Sequence, residues 1–401
     1  MHERTRARDA GAAPHAPRVS TLSPVRATAL GAHRSCPEQI SVAPDGSLAL
    51  AGRADPGPAA PEPTPPWPEV APPSGDPGWT ITVVFDGQVE FRHRVEDAVI
   101  AVRAVTRHRA EAFVSVDGAL PERRMVSASG IESAEALSVP PFASPERQAR
   151  IGWGSGAVFA EGTKLGRYSR AARYFSTFIL PAEARLLAEA GRFAVRRGDE
   201  VALVDAGGTT YYETGLPFGE PEHLALTERR SLWVAGTRFH HLWLDEHGQR
   251  YDDHPPRTAF AAKLDGTGSV AGTWVFRRDT PDRRGGVFAE SIAVTGEHGV
   301  VLLSTRGPWL VNPDEGPRER FASGLYLLEL ASEKEPVIHR LEDSQIGGAS
   351  LLTPLGGRRF AMIRQRVPDE LLRGPTRPSP RELRQRRVCE LWEVELPAAA
   401  P

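Results

Sequence analysis

The sequence predicts an all-β fold made of repeated four-stranded units that close into a ring. Strand-length apolar or alternating segments follow one another along the chain and are separated by short turns. Asp-Gly pairs favour tight hairpins because both residues tolerate positive φ, and they occur at 45–46, 86–87, 117–118 and 265–266. The pattern His-Arg-x-Glu-Asp occurs twice, beginning at His93 and at His339. Such internal repeats decide the fold before any local feature does.

The strands of one unit, labelled A to D, are clearest in the stretch that begins at residue 288. There they are predicted at 291–295, 300–306, 324–330 and 337–341. The same order fits three other stretches: 39–95, 185–214 and 223–277. Two weaker units are 98–143 and 150–182, and the segment 181–192 suits either a short helix or a strand A. The chain therefore contains six or seven units.

The last unit starts at Ala349 and ends with a strand C at 389–396, so it lacks its strand D. The N-terminal segment 19–28 is predicted to supply that strand and to close the ring. The turn at 41–46 and the strand at 324–330 resemble those of β-propeller proteins, and the resemblance covers most of residues 36–397. It implies a single β-propeller, which we place at 19–397, and the composition of residues 1–18 predicts a disordered tail. Two β-sandwiches are the alternative architecture.

Long connections are predicted mainly between strands B and C: 53–78, 238–257, 307–323 and 365–387. Connections in an antiparallel unit alternate between the two faces of the sheet. These insertions therefore share one face, which we call the elaborated face, and the short A–B and C–D turns share the other, the trimmed face. Insertions collected on one face of a repeat fold often mark the binding face, although neutral drift is the alternative explanation.

Arginine recurs near the end of strand B, and guanidinium groups on the elaborated face would suit a carboxylate, a phosphate or an acidic peptide. Because the chain is rich in arginine, chance is the alternative. The Pro-rich run in 53–78 is typical of an extended or solvated loop that could dock through its tryptophan. The candidate binding residues are Arg53, Arg197, Arg238, Arg306, Arg364, His240, His241, Trp309 and Trp67.

No cofactor, metal site or catalytic residue is predicted. His240 and His241 lie near several aspartates, but adjacent side chains on a strand point to opposite faces. A net charge of −2 gives no general attraction to nucleic acid or anionic lipid, and no apolar run is long enough to span a membrane. With only Cys36 and Cys389, and no secretory signal, we expect a cytoplasmic protein with two free thiols.

These observations favour a monomeric, non-enzymatic binding or scaffold module of a bacterial multiprotein system. It would recognise a protein partner, or an anionic one, through the elaborated face. The alternative is a propeller hydrolase or lyase that acts on an anionic small molecule at the central channel. A convergent pocket that holds His240 or His241 with several arginines would favour the enzyme. A broad surface would favour the scaffold.

Overall fold

The structure, a computed structural model, describes the following parts of the chain: 19–32, 36–54, 78–116, 122–136, 148–152, 156–161, 164–169, 174–179, 187–189, 193–197, 200–204, 210–216, 219–238, 258–279, 286–312, 319–331, 334–341, 348–366 and 388–398. The predicted tail at 1–18 and most of the four predicted insertions lie outside these ranges. Within them the regular secondary structure is β-strand throughout. The described residues include no helix of the length and apolarity that a bilayer span requires.

The described residues form seven sheets, which we number as blades 1 to 7 in chain order. Two strands precede blade 1: β1 (Ser20–Leu22) and β2 (Arg26–Ala32). Blade 1 contains β3 (Gln39–Val42), β4 (Leu48–Arg53), β5 (Trp79–Phe85) and β6 (Gln88–Val95). Blade 2 contains β7 (Ala98–Thr106), β8 (Arg109–Ser115), β9 (Glu122–Ser127) and β10 (Gly130–Ala136). Blade 3 contains β11 (Gln148–Gly152), β12 (Gly156–Glu161), β13 (Lys164–Ser169) and β14 (Tyr174–Ile179).

The remaining blades repeat the same antiparallel order. Blade 4 contains β15 (Leu187–Glu189), β16 (Phe193–Arg197), β17 (Glu200–Val204) and β18 (Thr210–Gly215). Blade 5 contains β19 (Gly219–Leu226), β20 (Leu232–Arg238), β21 (Ala259–Leu264) and β22 (Val270–Arg278). Blade 6 contains β23 (Val287–Thr295), β24 (His298–Thr305), β27 (Gly324–Ala331) and β28 (Lys334–Leu341). Between β24 and β27 the chain forms β25 (Trp309–Val311) and β26 (Arg320–Phe321), which join the outer edge of blade 5. Blade 7 contains β29 (Ala349–Gly356), β30 (Arg359–Arg366) and β31 (Val388–Glu395).

The blades close into a ring through their innermost strands. Strand A of each blade contacts strand A of the next, in the order β3, β7, β11, β15, β19, β23, β29 and back to β3. The predicted propeller is therefore confirmed, and the number of blades is seven. The weak unit at 150–182 is blade 3. Residues 187–189 of the ambiguous segment are strand A of blade 4, while the rest of the possible helix lies outside the described residues.

The N-terminal segment closes the ring as predicted, but through a later strand. Strand β2 pairs antiparallel with β31 and becomes the outermost strand of blade 7, with Thr28 opposite Leu391. The earlier strand β1 instead pairs in parallel with β28 at the outer edge of blade 6. Pro24 lies between the two strands and lacks the N–H that a continuous ladder requires, which explains why the segment is divided.

The core lies between neighbouring blades, and strands B and C are buried on both sides. Residues 300–303 of β24 and residues 48–51 of β4 are fully or almost fully buried. A strand that is covered on both faces reads as a continuous apolar run, whereas the outer strand β6 alternates buried and exposed residues. This difference explains why the B and C strands were recognisable in the sequence.

Hydrogen bonds at equivalent positions join successive blades. The Ser41 hydroxyl accepts from the Ala104 amide, and the Ser291 hydroxyl accepts from the Leu352 amide, so one contact recurs between strands A. Thr28 and Thr214 each donate to a carbonyl in the C–D turn of the next blade, at 2.9 Å in both cases. The repeat is therefore visible in side-chain chemistry as well as in strand order.

The prediction of two free thiols is wrong. Cys36 and Cys389 form a disulfide, with their Cα atoms 5.5 Å apart. Cys36 lies three residues before β3 of blade 1 and Cys389 lies on β31 of blade 7, so ring closure brings together residues that are 353 positions apart in sequence. The expectation of two reduced thiols rested on the expected cytoplasmic location and not on the positions of the cysteines.

Candidate functional site

The strand-B arginines lie at the elaborated face. Arg53, Arg197 and Arg238 are the last residues of β4, β16 and β20, and Arg306 follows the last residue of β24. In blade 7 the strand continues beyond Arg364 and ends at Arg366. Strand B therefore ends at or beside an arginine in blades 1, 4, 5, 6 and 7.

The side chains of the arginines at the strand end are described in blades 1, 6 and 7, and each lies near another side chain of the protein. Arg53 is exposed over 64% of its side chain and lies 3.6 Å from Glu38. The exposed Arg306 lies over the ring of Phe288, 5.8 Å from its centroid. Arg366 forms an ion pair of 3.1 Å with Glu390. The arrangement is thus a surface of mixed charge and not a cluster of bare guanidinium groups.

Arg364 does not belong to the exposed arginines. It is fully buried, and its guanidinium donates hydrogen bonds to the carbonyl oxygens of Gly348 and Gln365, at 3.0 and 2.9 Å. The same guanidinium lies over the ring of Trp392. Because Arg364 lies two residues before the end of its strand, it contributes to the interior of the propeller and not to its rim.

Trp309, a predicted binding residue, is also buried. The insertion between β24 and β27 returns to blade 5, where β25 pairs antiparallel with β22. The indole is fully buried among three rings: Phe276, Phe321 and Tyr326, with centroid distances of 6.2, 4.8 and 5.0 Å. A long B–C insertion is therefore, in this instance, an additional hairpin packed on the outer edge of a blade.

The turn that starts this hairpin requires a glycine. Gly307 has a φ of 105°, and a Cβ at this position would lie 2.6 Å from Nε of Arg278. The other end of the hairpin is joined to blade 5 by an ion pair of 2.6 Å between Arg320 and Asp279.

The predicted binding residues His240, His241 and Trp67 lie outside the described residues. For Arg197 and Arg238 the structure describes the position on the strand but not the side chain.

Two carboxylates that the sequence analysis missed lie on the innermost strands of blades 5 and 6. Glu222 and Glu290 each occupy a bulge of strand A and accept a hydrogen bond from a hydroxyl of strand B, from Thr237 and Ser304 respectively. Burial raises the pKa of Glu290, and the nearby Glu222 raises it further against the opposing effects of Ser304 and Arg306. The sequence signal was a Glu in equivalent positions of two strands A, followed by a hydroxyl residue in strand B.

A pocket of about 270 Å³ lies on the trimmed face, between blades 7 and 1. Its apolar wall includes Leu48, Val84 and Leu355, and its charged residues are already paired. These pairs are Arg26 with Asp86 at 2.6 Å, Arg26 with Glu393 at 3.3 Å, and Arg359 with Glu393 at 2.7 Å.

Asp45, which also lines the pocket, accepts hydrogen bonds from Ser47 and from the amide of Arg107. Although partial burial acts in the opposite direction, these bonds hold the pKa of Asp45 below its usual value. The charges therefore satisfy one another across the junction between the blades. The paired charges around the pocket therefore contribute to ring closure, and they do not form a site for an anion.

Comparison with solved structures shows the fold. The WD40 domain of Pan2 from Neurospora crassa matches with a TM-score of 0.53 and 9% identity, over 94% of this chain and 98% of that one. A chain of a mitotic checkpoint complex matches with a TM-score of 0.48 and 14% identity over 99% of both chains. BamB from Moraxella catarrhalis matches with a TM-score of 0.41 and 11% identity, over 93% of this chain and 100% of that one.

No protein-family model matches the sequence, and no similar sequence was found among curated proteins. At these identities the structural likeness defines the chain as a β-propeller and says nothing further about its activity.

Proposed function

We propose that the protein is a non-enzymatic scaffold that binds a protein partner on its elaborated face, as part of a bacterial multiprotein system. The observation that carries this proposal is the one-sided length of the connections. Strands B and C are separated by residues 54–78 in blade 1, 239–258 in blade 5, 306–323 in blade 6 and 367–387 in blade 7. The A–B turns on the opposite face are short, as at 107–108 and 296–297.

The hairpin β25–β26 supports a role for these insertions. Its buried tryptophan and its ladder to β22 fix the insertion of blade 6 to the scaffold. A segment fixed in this way loses less conformational entropy when a partner binds, because the ordering occurred during folding. The connection therefore has the character of a preorganised surface.

The charges on the elaborated face favour a protein over a small anion. Arg53 already faces Glu38, and the carboxylates of Glu222 and Glu290 lie on the inner strands near the same face. A protein partner that carries both acidic and basic side chains can complement this mixture of arginines and carboxylates. These features favour the scaffold over the hydrolase or lyase.

The double variant Arg53→Ala/Arg306→Ala tests the proposal. Partners are recovered with the tagged protein from its native host and identified by quantitative mass spectrometry. The affinity of a recovered partner is then measured by calorimetry. Each exposed arginine should contribute at most about 1 kcal/mol to folding stability. Loss of an arginine at an interface commonly costs about 2 kcal/mol, which corresponds to roughly 30-fold in affinity.

The matched control is Arg109→Ala/Arg229→Ala, two arginines on the trimmed face whose side chains are exposed over 57% and 83%. We expect the control to bind normally and the first variant to bind at least ~10-fold more weakly at an unchanged melting temperature. Equal weakening by both pairs would contradict the assignment of the binding face.

A further inference from the structure

The disulfide turns the seven blades into one covalent ring. It joins Cys36, three residues before the start of strand A of blade 1, to strand C of blade 7, so the chain from 36 to 389 is cyclic. Both cysteines lie in an apolar cluster at the junction of these blades, with Leu30, Leu48 and Leu391. Only the N-terminal strands and the last residues of the chain lie outside the cycle.

We propose that this disulfide is a redox-dependent lock on ring closure, and that the protein matures in an oxidising compartment. Its formation removes two protons and two electrons from the two thiols. A protein disulfide or a small-molecule disulfide accepts them by thiol–disulfide exchange and leaves as two thiols. Reduction by a dithiol reverses the reaction and leaves the closing strand β2 as the main remaining link at this junction.

The position of β2 explains what the lock changes. Ala32, the last residue of β2, pairs with Val388, next to Cys389, and the chain then reaches Cys36 within four residues. In the oxidised protein β2 can separate from β31 while blades 1 and 7 remain tethered. In the reduced protein the same separation leaves blades 1 and 7 held together by noncovalent contacts alone, so the ring opens more readily. Ring closure therefore depends more strongly on the pairing of β2 with β31 when the disulfide is reduced than when it is oxidised.

Burial of the sulfurs makes this feature a lock and not a rapid switch. Cys36 is 8% exposed and Cys389 is fully buried, so a reductant reaches the bond only after local opening of the junction. Such a bond persists where oxidant is maintained, whereas the cytoplasm of most organisms keeps thiols reduced. The disulfide therefore favours a compartment outside the reducing cytoplasm over the location expected from the sequence.

The first experiment measures the oxidation state in the native host. Cells are lysed into denaturant with excess iodoacetamide, without reductant, and the peptides that contain Cys36 and Cys389 are quantified by mass spectrometry. We expect a disulfide-linked peptide pair and no alkylated cysteine. Alkylation of both residues in most molecules would overturn the proposal.

The second experiment measures the effect on ring opening. The rate of unfolding in denaturant is compared for the oxidised protein and for the same preparation reduced under denaturing conditions and refolded. We expect reduction to accelerate unfolding at least ~10-fold, because a cross-link of this length restricts the opened chain. Equal rates would show that the bond does not lock the ring.

The variant Cys36→Ser/Cys389→Ser is the control for effects of the reductant itself. It should unfold at the rate of the reduced protein, and dithiothreitol should leave that rate unchanged. If the variant does not fold, the comparison of oxidised and reduced wild-type protein still decides the question. Acceleration of the variant by dithiothreitol would assign the effect to something other than this disulfide.

Discussion

The junction between blades 5 and 6 and the junction between blades 7 and 1 are held by different kinds of interaction. At the first, Trp233 stacks on Trp274 with ring centroids 5.5 Å apart and donates a hydrogen bond from its indole N–H to the carbonyl of Glu297. Valine, leucine and tyrosine side chains of blade 6 complete a large apolar cluster. At the second, the cluster among the described residues consists of smaller aliphatic side chains and the two cysteines.

The closing junction adds three connections to its smaller core. Strand β2 completes blade 7, the disulfide joins blade 7 to blade 1, and Arg26 reaches Asp86 of blade 1 at 2.6 Å. Consecutive blades are joined by a short stretch of chain, which lowers the entropic cost of packing them together. The first and last blades lack that connection, so strand exchange and the cross-link replace it.

Removing the closing strand should have the largest effect on stability. Deletion of residues 1–32 removes β2, including Leu30, which is 1% exposed, and the ladder to β31. Loss of one buried leucine and several backbone hydrogen bonds should lower the free energy of unfolding by about 5 kcal/mol. Denaturant titration measures the change, and the control is deletion of residues 1–24, which removes β1 and retains β2. Equal stability of the two truncated proteins would show that β2 does not close the ring.

Trp309→Ala tests whether the junction of blades 5 and 6 depends on the inserted hairpin. Removing a fully buried indole from its aromatic surroundings should cost about 4 kcal/mol. Arg320→Ala in the same hairpin is the control. Its side chain is exposed, so its loss should cost less than about 1 kcal/mol. If both variants melt at the wild-type temperature, the hairpin contributes nothing to this junction.

The same comparison shows which features the sequence could predict. Strands that are buried on both faces, such as β24, read as apolar runs, and the missing strand D of the last unit indicated an exchange. Trp309 could not be placed, because nothing in a loop sequence shows that the loop returns to the edge of the preceding blade. The disulfide was missed because the spacing of two cysteines carries no information about the compartment.

The ion pairs at the two ends of blade 7 provide the smallest and sharpest test of the comparison. Toward blade 6, Arg358 forms a bidentate pair with the almost fully buried Glu329, at 2.8 and 2.6 Å, and His298 lies 3.2 Å from the same carboxylate. Toward blade 1, Asp86 is 73% exposed and pairs with Arg26. The buried pair between Arg358 and Glu329 should contribute more to the free energy of unfolding than the pair between Arg26 and Asp86, because water screens the exposed pair.

Glu329→Gln should therefore lower stability by about 2 kcal/mol at neutral pH, and Asp86→Asn by less than about 1 kcal/mol. Although burial acts in the opposite direction, Arg358 and His298 hold the pKa of Glu329 below the ordinary glutamate value of 4.5. The unfolded chain thus binds a proton more readily at this site than the folded chain. The contribution of Glu329 is complete above about pH 4.5 and is lost as the pH falls through the folded-state pKa.

His339 on β28 lies near the same pair and accounts for a second pH window. Burial, partly opposed by Glu329 and reinforced by Arg358, lowers its pKa below 6.5. Stability should consequently start to fall below about pH 6.5 and fall further below about pH 4.5. In a series of denaturant titrations, Glu329→Gln should flatten the lower window and, because the Glu329 charge raises the pKa of His339, deepen the upper one. His339→Gln should flatten the upper window. Parallel curves for Glu329→Gln and the wild type below pH 4.5 would show that the junction of blades 6 and 7 does not depend on this ion pair.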